Sequence, residues 1–134
     1  MVRVLALDYG SARCGCAISD PTGVLATPLE PVPRPASSRG LQKLRALVAS
    51  RDVARVVVGL PLSLSGADSR QTAETRAFAH KLEQVMPVPV ELYDERLTTK
   101  LASRLGGRES EDSRAAAHLL ESWLAARGNS KNDG

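Results

Sequence analysis

Val2-Arg3-Val4-Leu5-Ala6-Leu7-Asp8 decides how this chain is read. It is a short, almost continuous apolar run that stops at an acid, the pattern of a strand covered on both faces of a sheet. Tyr9 to Arg13 (YGSAR) makes a turn in which Gly10 supplies backbone freedom. A second strand follows over Cys14 to Ser19, then the Asp20-Pro21-Thr22-Gly23 turn and a third strand over Val24 to Thr27. Two short turns in succession predict an antiparallel three-stranded meander.

Outward from the meander, a proline-rich connection (Pro28, Pro31, Pro33, Pro35) leads into a helix over about Ser38 to Ser50. Its Leu41, Leu44, Leu47 and Val48 have helical spacing. Val53 to Leu60 reads as a fourth strand, ended by Pro61, and the polar loop Leu62 to Gly66 precedes a second helix over about Ser69 to Val85. Pro87 and Pro89 bracket the entry to a fifth strand, Val88 to Tyr93, which runs into Asp94-Glu95-Arg96. A short helix around Thr99 to Leu105, a Gly106-Gly107 break and a last helix carrying Asp112 complete the chain. The order β-β-β-α-β-α-β-α predicts an α/β fold, a mixed five-stranded sheet with helices on both faces. One domain over residues 1–127 and a small polar tail over 128–134, expected to be disordered, account for all 134 residues.

Composition narrows the function. Aromatic residues are only 3% of the chain, which argues against nucleic-acid binding through stacked bases. A net charge of +3 and a pI of about 9.2 suit a polyanionic partner without establishing one. Cys14 and Cys16 are one residue apart in an apolar run, a spacing that suits neither a zinc knuckle nor a redox pair. They read as small core residues of a reduced, cytoplasmic protein. No signal peptide and no apolar stretch long enough to span a bilayer is evident, so no membrane association is expected.

The chemistry lies in the acids. Asp112 falls on the apolar side of the last helix, within roughly 10° of the centre of a stripe of Ala115, Ala116, Leu119, Leu120 and Trp123, at about 100° per residue. Glu121 points nearly the opposite way. On this helix alone, capping of the first turn is the simpler reading of Asp112. Asp8 and Asp94-Glu95 close the first and fifth strands, and ligand sites in such sheets collect at the carboxyl ends of the parallel strands. Carboxylates converging there repel unless a cation sits between them. Oxygen ligands alone favour Mg²⁺ or Mn²⁺ over zinc, and a pair of such ions stabilises in-line attack of water on a phosphodiester. His80 and His118 lie off the apolar stripes and read as surface residues.

Four segments resemble the YqgF (RuvX) family. Asp8-Tyr9-Gly10-Ser11-Ala12-Arg13-Cys14-Gly15-Cys16-Ala17 is similar to its opening motif, and Gly59-Leu60-Pro61 to its GLP strand end. Asp94-Glu95-Arg96-Leu97-Thr98-Thr99 resembles its distinctive DERLTT string. Asp112-Ser113-Arg114-Ala115-Ala116 with Leu120-Glu121-Ser122-Trp123-Leu124 is similar to its closing helix. The matches keep the family's order over about residues 1 to 127. The resemblance implies an RNase H-like fold related to Holliday-junction resolvases, and a nuclease role in maturing the 5′ end of pre-16S ribosomal RNA. It implies Asp8, Glu95 and Asp112 as metal-binding catalytic acids. By the same resemblance Arg13 meets phosphate or supports the opening loop, while Arg96 and Thr98 brace the site or touch the substrate backbone. Salt bridges to neighbouring acids are the equal alternative for Arg13 and Arg96. The chain departs from the pattern at Ser65, where an acid or amide is usual. Before Asp112 it has only Lys100, Arg104 and Arg108 in place of a longer, lysine-rich loop, so its grip on nucleic acid is expected to be weaker or to lie elsewhere.

The leading expectation is therefore a Mg²⁺- or Mn²⁺-dependent endonuclease acting on structured RNA, with ribosomal precursor particles as partners. Branched DNA is the alternative substrate, and a non-catalytic RNA- or ribosome-binding module the alternative class. A phosphotransferase of the actin and sugar-kinase type shares the D-x-G strand end but needs two such domains, and this chain offers one. Monomer and homodimer both stay open.

Overall fold

The computed structural model describes residues 3–98 and 111–132, with side chains of the final helix described over 113–127. Its strands are β1 (Arg3–Asp8), β2 (Arg13–Ser19), β3 (Ala26–Pro33), β4 (Val53–Leu60) and β5 (Val90–Asp94), and its helices α1 (Ser38–Ser50), α2 (Arg70–Val85) and α3 (Glu111–Asn132). The sheet order is β3-β2-β1-β4-β5. β1 to β3 form the antiparallel meander, and β4 and β5 add in parallel to β1. The carboxyl ends of β1, β4 and β5 consequently share one pole.

Strand alternation divides the core in two. Leu5 and Leu7 of β1 and Val56 and Val58 of β4 face Leu44 and Val48 of α1 and Phe78 and Leu82 of α2. Val4, Ala6, Ala17 and Val57 face Ala116, Leu119, Leu120 and Trp123 of α3 on the other side. Helices thus cover both faces, as the near-continuous apolar strands predict. Cys14 and Cys16 are buried, neither forms a disulfide among the described residues, and both belong to the α1/α2 face. Among the described residues no helix is long and apolar enough to cross a membrane.

Three elements differ from the sequence reading by two residues or more. The third strand is Ala26–Pro33 and not Val24 to Thr27, so Pro28, Pro31 and Pro33 are strand residues rather than a connection. They are tolerated because β3 is an edge strand, where a missing N–H faces away from the ladder. A bulge opposite Cys14–Cys16 absorbs one extra residue. β5 begins at Val90, after Pro89, whose carbonyl accepts from Val56 N–H at 2.9 Å. α3 runs on to Asn132, through the stretch expected as a tail from Gly128. Extending an existing helix avoids the nucleation cost, and one glycine disfavours it by only about 1 kcal/mol. The expected helix over Thr99 to Leu105, the Gly106-Gly107 break, and Lys100, Arg104 and Arg108 lie outside the described residues.

Candidate active site

Asp8 closes β1, and by strand alternation it belongs to the α3 face with Val4 and Ala6. Leu7 is paired with Val58, so the next residue of β4, Gly59, lies beside Asp8. Tyr93 and Asp94 of β5 pair with Gly59 and Leu60. After Asp94 the chain turns sharply through a 3-10 turn, Glu95–Leu97, with the Asp94 carboxylate accepting from Arg96 N–H at its start. That turn folds Glu95 back over Gly59. A Cβ on Gly59 would stand 2.6 Å from Glu95 Oε1 and 3.1 Å from both Glu95 Cγ and Leu119 Cδ2. The missing side chain is the space that the Glu95 carboxyl occupies.

Through this gap Glu95 reaches Asp8, and the two carboxyls share a hydrogen bond. Burial is the largest cause pushing the Glu95 carboxyl up to about 7, and the negative charge of Asp8 adds to it. Below about pH 7 the pair can accordingly keep a proton between its carboxyls. Asp94 is not part of the pair. It is turned to Arg96, with Nη2 to Oδ2 at 2.6 Å and Nε within 3.0 Å of both oxygens. This ion pair holds the Asp94 carboxyl below its usual range, and Arg96 also reaches the Leu64 carbonyl at 3.4 Å. Of the two readings left open for Arg96, the salt bridge is the one formed.

The remaining expected residues are placed as follows. Arg13 opens β2, exposed, past the turn in which a Cβ on Gly10 would meet the Arg13 carbonyl at 2.7 Å. Thr98 closes the 3-10 turn with its N–H on the Glu95 carbonyl, and its hydroxyl is buried without a hydrogen-bond partner among the described residues. Asp112 stands in the first turn of α3; its side chain, and hence the expected approach to Asp8 and Glu95, lies outside the described residues. Ala115 is exposed, whereas Ser113 and Ala117 are buried, so the inward face of α3 is turned towards Ser113 relative to the stripe read from sequence. His80 is exposed, as expected, while His118 is only 20% exposed, 3.9 Å from Glu121.

Several supporting residues went unread in the sequence. Ser113 donates its hydroxyl to the Leu29 carbonyl and accepts from Cys16 N–H at 3.3 Å. It fills the gap that the β2–β3 bulge opens in the ladder, fixing the start of α3 to the meander. Thr72, in the capping box of Ser69, donates to the Pro61 carbonyl and ties α2 to the end of β4. Tyr9 stacks on Phe78 with ring centroids 4.6 Å apart, which braces the loop after Asp8. A serine or threonine on a buried helical face is the one signal the sequence offered for Ser113 and Thr72.

The donor set fits a hard divalent cation: two half-buried carboxyls in contact, whose like charges a cation would offset. Among the described residues no third His, Cys, Asp or Glu joins them.

The family model of RuvX, described as a Holliday junction resolvase, matches residues 2–126. A protein of Koribacter versatilis named "Putative pre-16S rRNA nuclease" is 40% identical over 94% of this chain and 88% of its own length. Relatives with the same name from Rhodococcus erythropolis and Mycobacterium tuberculosis are 41% and 43% identical, each over 93% of this chain and over 78% and 79% of theirs. Among solved structures, Thermus thermophilus RuvC in complex with Holliday junction substrate superposes with a TM-score of 0.65, covering 96% of this chain and 97% of that one at 14% identity. The fold is accordingly RNase H-like.

Proposed function

The chain belongs to the RuvX family, and from that premise we propose that it is a cytoplasmic, metal-dependent endonuclease. Its substrate on this reading is structured RNA, the 5′ end of pre-16S ribosomal RNA within precursor particles. The observation that carries the proposal is the Asp8–Glu95 pair, held over Gly59 at the pole where β1, β4 and β5 end. The names of the relatives point to the same substrate.

Asp8, Glu95 and Asp112 would hold Mg²⁺ or Mn²⁺. Two such ions, when bound, supply the positive charge that steadies the attacking and leaving oxygens of an in-line displacement at phosphorus. Glu95 first gives up the proton it shares with Asp8, so the carboxylates are ready for a cation above about pH 7. The Thr98 hydroxyl, buried with no hydrogen-bond partner among the described residues, would offer a donor to a phosphate oxygen. Arg13, at the exposed opening of β2, would meet the substrate backbone. Arg96 acts as a brace, because Asp94 and the Leu64 carbonyl already hold it.

Branched DNA is the second reading, favoured by the description of the family model. The test incubates purified protein with pre-rRNA fragments and with four-way junctions, in Mn²⁺ or in EDTA. Cleavage of the RNA in Mn²⁺ alone, lost in Asp8→Asn and Asp112→Asn while binding is retained, is the expected result. Cleavage confined to junctions transfers the activity to DNA. If neither is cut at high enzyme concentration, the nuclease reading fails and the binding module takes its place.

A further inference from the structure

Between Glu30 and Asp52 the chain has five basic residues, Arg34, Arg39, Lys43, Arg45 and Arg51, and no acid. That leaves 13 basic against 15 acidic residues elsewhere, so the net positive charge of the whole chain resides in this one stretch. All five are exposed. Elsewhere, among the described residues, four arginines are ion-paired: Arg55 with Glu91, Arg70 with Glu74, Arg76 with Asp68 and Arg96 with Asp94. Among the described residues none of the five forms an ion pair.

Their placement is as informative as their number. Arg34 N–H donates to the Ala12 carbonyl at 2.9 Å, so the stretch begins against the turn that follows Asp8. α1 then leads away from that pole for about 20 Å at 1.5 Å per residue. Arg39 and Lys43 lie four residues apart, on one flank of α1, with Arg34 at its head. Arg39 is in the first helical turn, which contains no acid, where the helix dipole disfavours a cation. A charge kept where local structure opposes it is a mark of binding.

The ligand these cations fit is a phosphate backbone. All four aromatic residues pack against the core: Tyr9, partly buried, stacks on Phe78, and Trp123 and the partly buried Tyr93 pack on the α3 face. Unstacked bases would find no platform here, whereas a duplex needs only phosphate contacts and shape. We propose that the Arg34–Arg39–Lys43 flank of α1 is a track for a double-stranded arm of the RNA substrate, gripping its phosphates as the arm leaves the catalytic pole. The proposal rests on the nuclease reading for its substrate, and the experiment separates the two.

Binding of a 20-base-pair RNA duplex is measured in EDTA at several salt concentrations, for wild type, for Arg34→Gln/Arg39→Gln/Lys43→Gln, and for a control with equal charge loss on α2, Arg70→Gln/Arg76→Gln/Lys81→Gln. Each phosphate contact contributes roughly 0.9 to the slope of log affinity against log salt, so the α1 variant should lose about 2 to 3 from it. Its affinity near physiological salt should fall tenfold or more, the control should change the slope by less than about 1, and melting of the α1 variant should not drop. In Mn²⁺ cleavage assays the α1 variant should show a raised KM with kcat unchanged. Equal slopes for α1 variant and control, or no duplex binding by wild type, overturn the track. Cleavage with an unchanged slope sinks the track and leaves the nuclease. Duplex binding through α1 without any cleavage does the reverse.

Discussion

Gly59 shows how much of this site is decided by an atom that is not there. The GLP string marks a strand end in the sequence, but its glycine matters because Glu95 folds into the space above it. Adding one methyl group by Gly59→Ala pushes on the Glu95 carboxyl and on Leu119 together. A displacement of about 1 Å at a catalytic group can cost on the order of a hundredfold in rate. Gly59→Ala is therefore expected to lose about that much Mn²⁺-dependent cleavage with its circular dichroism unchanged, because the closest clash is with a flexible side-chain end. Unchanged cleavage would mean that Glu95 does not need its contact with Asp8. Asp8 and Asp94-Glu95 were legible as acids at strand ends, and the family resemblance implied Glu95 as the site acid of the second pair. That Asp94 is occupied by Arg96 was not legible, since both residues could as well have faced the cleft.

At the scale of elements, local pattern located α1 and β4 to the residue and misplaced β3, which overlaps the expected strand only at Ala26 and Thr27. Helical spacing and caps are near-neighbour signals, whereas a strand rich in proline is stable only because its partner lies on one side. The three prolines of Ala26–Pro33 mark an edge only once the segment is known to be a strand, and read alone they suggest a connection. The same edge carries the bulge that Ser113 repairs from 84 residues away in sequence, through the Leu29 carbonyl. Ser113→Ala leaves that carbonyl and the Cys16 N–H without this partner in a buried place. The expected destabilisation is about 1–3 kcal/mol in chemical denaturation, with Ser113→Thr closer to wild type if its methyl group fits. A change under about 0.5 kcal/mol, the range of ordinary surface substitutions, would show that the bulge is satisfied without the hydroxyl.

For the whole molecule, the carboxyl pair has a consequence in the stability curve. The Glu95 carboxyl is raised from 4.5 to about 7 in the folded protein, so the native state holds a proton there that the unfolded chain has released. Its contribution to stability is complete below about pH 4.5 and is lost as pH rises through 7. Melting of the metal-free protein, taken as wild type minus Glu95→Gln, should thus decline between these two values and level off above. A flat difference would show that Glu95 and Asp8 are not sharing a proton. What the sequence determined by itself was the order of elements and the two-sided burial of the sheet, because apolar period and turn chemistry are written residue by residue. Only the tertiary structure decided that Glu95 meets Asp8 over Gly59, that Arg96 is spent on Asp94, and that Arg39 and Lys43 of α1 form no ion pair among the described residues. Those outcomes depend on which distant residues compete for the same partner and the same space, and neither competition leaves a mark in local sequence.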